Sequence, residues 1–175
     1  MKKIGLLAIM ACGFLYAGPL DFESGTIKAH TEVLGDSSIN PMAKKAVSHL
    51  IMAENPATLH GSIEVSMADF MSDNRKRDEH MHESFESTVF PKATFEIKEV
   101  VAKGSDGYTL KGLMNFHGVT KAMNFESMIT QDSGKVHIKG TADMKMSDFG
   151  MKPIKMLFLT VRDQVDLSVD VLLKR

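Results

Sequence analysis

Tryptophan is absent from this 175-residue chain, tyrosine occurs twice and cysteine once, at Cys12. One cysteine cannot build an intramolecular disulfide framework, so a stable fold has to rest on packing. Basic residues number 21 against 22 acidic ones, which leaves no surplus to hold a phosphate backbone. Nucleic acid is therefore not an expected partner. No segment stays apolar for the ~20 residues a membrane helix needs, so no transmembrane helix is expected. Gly-x-Ser-x-Gly and phosphate-cradling glycine loops are missing, and nucleophilic catalysis finds no motif. Internal repeats and low-complexity tracts are also absent.

The first residues read as a leader. Met1-Lys2-Lys3 is followed by an apolar stretch over 4–16 and the small residues Ala17-Gly18. That pattern describes a secretory signal peptide over 1–17, with cleavage near Ala17 and a periplasmic or secreted product. A lipoprotein signal acting through Cys12 is the rival reading, although Met10 fits it poorly. Removing 17 of 175 residues leaves 158, the size of one domain with its own core, over 18–175. Without Lys2 and Lys3, 19 basic residues stand against 22 acidic ones.

What the chain has in place of these features is alternation. Over 108–174 apolar and polar residues exchange with few breaks. Tyr108, Leu110, Gly112, Met114 and Phe116 share one parity, with Thr109, Lys111, Asn115 and His117 on the other. Met123, Phe125 and Ile129 repeat the pattern, as do Val136, Ile138, Ala142, Met144 and Met146, then Val165, Leu167, Val169, Val171 and Leu173. A period of two places each apolar set on one face of a sheet and each polar set in water. Residues 25–34 read as a first strand and 59–67 as a third, with a loop over 35–41. Residues 42–52 suit either a helical turn near 43–47 or a strand over 47–53. Residues 73–83 are charged and suit a short helix, and Phe95, Ile97 and Val100 resume the sheet. Short glycine turns join antiparallel neighbours. The expectation is an all-β fold with about eight antiparallel strands closed into a barrel, a number that can hold side chains plus one small ligand. Outer-membrane barrels turn apolar residues outward between aromatic girdles. The lack of tryptophan and the Lys, Glu and Asp on the second parity point instead to a water-facing exterior.

The inward stripe is soft: Met114, Met123, Met144 and Met146 fall on it in neighbouring strands. Methionine flexes, which suits cavities that take variable apolar ligands. Parity alone favours an ordinary packed core, because most apolar stripes are core. His80-Met81-His82, with Asp78, Glu79 and Glu83, has residue types that bind zinc or copper. On a helix His80 and His82 point well apart, so a solvated charged face is the plainer reading. His117 opens a hairpin, where the default role is to stabilise the turn.

Several blocks in order resemble one family. Gly61-Ser62-Ile63-Glu64-Val65, Arg77-Asp78-Glu79-His80, Phe90-Pro91-Lys92-Ala93-Thr94-Phe95, His117-Gly118-Val119-Thr120-Lys121 and Asp148-Phe149-Gly150-Met151 are similar to successive blocks of the YceI-like polyisoprenoid-binding family. Before residue 59 the match weakens, and His30 and His49 are only loose counterparts of the histidines such proteins carry there. The resemblance implies a lipocalin-like barrel with a helical insertion, holding an isoprenoid, quinone, polyprenyl lipid, fatty acid or amide, without catalysis and with no other cofactor. On that footing the expected lining is Ile63, Phe95, Leu110, Met114, Phe116, Met123, Phe125, Met144 and Met146. Asp78, His117 and Phe149 are candidates for the head group or mouth, and 70–85 for a lid. A homodimer is a further expectation, from exposed edges and loops. The alternatives are a metal- or redox-linked factor using His80 and His82, and a filled barrel acting through protein contacts.

Overall fold

The alternating segments of the sequence form strands over their described residues in the computed structural model, with Met67 and Met146 opening short 3-10 turns at strand ends. The structure describes residues 17–33, 37–152, 154–156 and 159–175. The expected leader, including Cys12, lies outside the described residues except for Ala17. In chain order the elements are β1 (Gly18–Val33), β2 (Ser37–Ile39), β3 (Met42–Ala43), β4 (Val47–Met52), β5 (His60–Ser66), α1 (Arg75–Ser84), β6 (Lys92–Ala102) and β7 (Gly107–Phe116). They continue with β8 (Val119–Asp132), β9 (Lys135–Lys145), β10 (Lys155–Met156), β11 (Leu159–Thr160) and β12 (Gln164–Lys174).

Eight of these strands close on themselves. The order β1-β4-β5-β6-β7-β8-β9-β12 returns to β1 through the pairing of Asp21–His30 with Asp166–Lys174, and every neighbour is antiparallel. Closure removes the edges that an open sheet would expose. β2 and β3 pair with β1 outside this path, and β10 with β11 forms a separate hairpin. Among the described residues no helix is long and apolar enough to cross a membrane.

The structure changes or completes the sequence reading at five points. Residues 42–52 contain no helical turn: β3 and β4 occupy them. The expected loop over 35–41 contains β2. The first strand begins at Gly18 instead of residue 25, because a bulge between Phe22 and Ser24 inserts one residue and flips parity from Leu20 and Phe22 to Gly25, Ile27 and Ala29. A second bulge, between Ile97 and Glu99, moves the inward set of β6 from Phe95 and Ile97 to Val100. Lastly, Thr109 is buried although it lies on the water-facing parity, where its Oγ1 donates to Glu126 at 3.1 Å.

Charge covers the outer wall in cross-strand pairs, among them Lys92–Glu64 at 2.8 Å, Lys135–Glu23 at 2.9 Å and His137–Asp170 at 2.6 Å. Exposed pairs of this kind are worth about 0–1 kcal/mol each. The hydrogen bond from His137, with Lys139 beside it, holds the Asp170 carboxyl below the usual carboxylate range. A depressed carboxylate contributes stability above its unfolded pKa and loses it as pH falls through the folded value. Asp170→Asn should therefore lower stability slightly at neutral pH and flatten the acid limb below about pH 4, where the two proteins converge. Superimposable acid-unfolding curves for the two proteins would contradict this.

Candidate functional site

The barrel interior is solid at one end and hollow towards the other. Leu20, Met52, Ile129, Val136 and Leu173 are at most 2% exposed and fill the end where Gly18 pairs with Met52 and Leu173 with Val136. Arg175 clasps that end, donating from Nη2 to the Ala53 carbonyl at 2.6 Å, and Gln131 donates to the Glu54 carbonyl at 2.8 Å. Beyond this plug lies a cavity of about 140 Å³.

Register builds its wall. Ile63 stands opposite Phe95, Phe95 opposite Met114, and Leu110 opposite Phe125, so four strands place these side chains side by side. The Phe95 ring passes over Gly112, where a Cβ would lie 2.6 Å from its Cζ, and meets the Phe125 ring at 4.8 Å. Eight of the nine residues expected from the sequence line the cavity: Ile63, Phe95, Leu110, Met114, Phe116, Phe125, Met144 and Met146. Met123 is buried but lies outside the lining. β1, β4 and β12 supply lining that the sequence pattern does not single out, including Ile27, Ala29, Leu50, Leu167, Val169 and Val171. Their inward parity is visible in the sequence, but nothing in alternation tells a hollow level of the barrel from a filled one. Among the described residues the lining carries no charge, and Ser127 is its one polar side chain, with Oγ donating to the Phe125 carbonyl at 3.4 Å.

The insertion between β5 and β6 covers the hollow end. Asn74 caps α1 by accepting from the Arg77 N–H at 3.1 Å, which starts a helix in an otherwise β chain. Phe70 and Phe85, on either side of α1, both line the cavity. The Phe85, Phe116 and Phe149 rings run edge to face at 5.7 and 5.6 Å across this end. The 70–85 segment therefore sits where a lid would sit.

Asp78, His117 and Phe149 do not line the cavity. Asp78 is buried; Oδ1 accepts from the Ser72 N–H at 2.9 Å, and Oδ2 has no partner among the described residues. His117 occupies a positive-φ turn residue between β7 and β8. Its Nδ1 faces the Phe149 carbonyl at 3.3 Å and its Nε2 faces Glu86 at 2.9 Å, so both nitrogens are committed to holding the hairpin against the lid and the 146–149 turn. Phe149 is 2% exposed and packs on Phe116. His82 Nε2 meets the Phe70 carbonyl at 2.9 Å, while His80 pairs with Glu83 at 3.5 Å on the exposed side of the helix. Among the described residues no three His, Cys, Asp or Glu side chains surround a common metal position. His30 bonds Asn40 at 2.6 Å, and His49 is exposed on β4, both away from the lumen.

Comparison with known proteins adds to this geometry. A family model described as YceI-like domain matches residues 21–173. Curated relatives called UPF0312 protein, from Yersinia pestis and Yersinia pseudotuberculosis, are 29% identical over 106 residues, 56% of this chain. The chain spans about half the length of these relatives, 55%. Among solved structures, Burkholderia cenocepacia BcnA superposes with a TM-score of 0.75 at 16% identity, covering 85% of this chain and 95% of that one. A polyisoprenoid binding domain from Saccharophagus degradans gives 0.67 at 10% identity, covering 89% and 97%. The Campylobacter jejuni YceI protein gives 0.57 at 16%, covering 100% and 91%. At these identities the structural likeness concerns the fold.

Proposed function

The chain belongs to the YceI-like domain family, and from that premise we propose that it is a non-catalytic binding protein that takes an apolar chain into its barrel. The observation that carries this reading is the uncharged cavity walled by Met and Phe, closed below by a packed plug and covered above by Phe70 and Phe85. The Saccharophagus degradans domain, described as polyisoprenoid binding, supports a long apolar ligand. Each methylene moved from water into such a lumen gains about 0.8 kcal/mol.

The cavity's size qualifies the mechanism. An apolar cavity of about 150 Å³ takes up benzene, so 140 Å³ accommodates only a ring-sized fragment. A longer chain enters as Met67, Met114, Met144 and Met146 change rotamer, which three rotatable bonds per side chain allow. A polar head stays outside, because among the described residues Ser127 is the one polar side chain that lines the lumen. Action outside the cytoplasm, as a periplasmic or secreted carrier, is part of the proposal and rests on the expected leader.

Solvent extraction of the purified protein, followed by mass spectrometry, tests this directly. The expected result is a long-chain amphiphile, a prenyl quinone or fatty amide for example, in a fixed ratio to protein. An empty extract, together with no uptake of an added quinone or fatty amide, would end the reading.

A further inference from the structure

The lumen does not provide for a head group, so the place where one would emerge can be sought on the outer surface. Residues 40–42 and 70–72 cross beside the cavity, joined by the Met42 N–H to the Met71 carbonyl at 2.8 Å and the Met71 N–H to the Met42 carbonyl at 3.1 Å. Pro41 and Phe70 line the lumen. Their chain neighbours Met42 and Met71 line a separate outer groove of about 750 Å³. Lumen and groove thus share a wall made of these two short segments.

The groove is charged where the lumen is not. Lys44, Lys45 and Arg77 line it together with Asp69 and Asp73. Asp73 is held by Arg77 at 3.5 Å, whereas neither lysine has an acidic partner within ion-pair distance among the described residues. The adjacent helix carries a second sign of the same kind. Arg75, Lys76 and Arg77 follow the Asn74 cap directly in the first turn of α1, with Asp78 completing that turn, so three cations and one buried carboxylate sit at the positive end of a helix dipole. Cations there are unfavourable and anions favourable; Asp78 in the turn, Glu79 beside Arg75 and Asp73 beside Arg77 offset them in part, and an anion in the groove adds to that offset.

We infer that this groove is a head-group subsite for a phosphate-bearing amphiphile, whose chain passes the Met42–Met71 bridge into the lumen. The inference rests on the carrier reading above. Ammonium groups of Lys44 and Lys45 and the Arg77 guanidinium supply charge-assisted donors to phosphate oxygens, and Met71, exposed at the bridge, covers the first methylenes.

Calorimetric titration of the full chain with dodecyl phosphate, dodecanol and inorganic phosphate tests it. The phosphate ester should bind about ten-fold or more tighter than the alcohol, since the two share a chain and differ in the head. The triple change Lys44→Gln, Lys45→Gln and Arg77→Gln should remove that advantage while dodecanol binding stays within about two-fold and the melting temperature holds. Equal affinity for the two amphiphiles, or loss of both in the variant, would overturn the subsite and leave the lumen reading standing. Inorganic phosphate binding as tightly as the ester would show a free-anion site and overturn it too. Binding of neither amphiphile would overturn the lumen reading and this inference with it.

Discussion

Met114→Trp is expected to cut uptake of an apolar chain by about ten-fold or more while the barrel still folds. Met114 stands beside Phe95 at the β7 end of the row that begins with Ile63, and its side chain lines the cavity. An indole in place of a thioether consumes much of a 140 Å³ space and cannot fold aside as methionine can. Overpacking a filled core costs about 1–3 kcal/mol, but here the ring grows into unfilled space, so the stability change should fall at or below the lower end. Met123 supplies the control. It belongs to the same inward parity yet lies outside the lining, so Met123→Leu should leave uptake unchanged. Uptake by Met114→Trp equal to that of the parent would mean the lumen is not the binding site.

Gly61→Ala is expected to destabilise the protein by about 3 kcal/mol or more. Gly61 has φ +103, and a Cβ there would overlap the His49 carbonyl oxygen and crowd the Leu50 backbone. Those atoms belong to the β4 strand paired with Gly61, so relief requires the β4–β5 ladder to separate. Gly104 isolates the two effects. Its φ is +98, yet a Cβ would meet nothing within 4 Å. Gly104→Ala should therefore cost only the conformational strain, about 1–3 kcal/mol, and the difference between the variants measures the close approach of β4. Denaturant unfolding of both proteins gives that difference. Equal losses would mean that the approach is relaxed at no cost.

The wall of the cavity is largely legible in the amino-acid pattern. Ile63, Phe95, Leu110, Met114, Phe116, Phe125, Met144 and Met146 are within reach because inward parity, the soft Met and Phe composition and the family blocks all point to the same faces. The first strand is less legible, since the bulge after Phe22 resets parity and hides 18–24 from a period-two reading. Residues 42–52 carry no clear period and become strands through pairing with β1 and β5. His117 and Asp78 have the residue types of head-group ligands. The fold instead turns His117 to Glu86 and Phe149, and Asp78 to the Ser72 backbone. The groove at Lys44, Lys45 and Arg77 has no linear signal at all, because it joins residues more than thirty apart.

The sequence by itself determined which side chains share a face over 108–174, that the other face is charged, that about eight strands are needed and which family the blocks resemble. These follow from local properties: a strand alternates its side chains whatever it pairs with. Only the tertiary structure decided which level of the interior is hollow, why Met123 is excluded where Phe125 is not, and which surface cations gather beside the lumen. Those depend on register, bulges and the closure of β1 on β12, which set the height of each residue along the barrel. Height is a long-range quantity, and a period of two does not encode it.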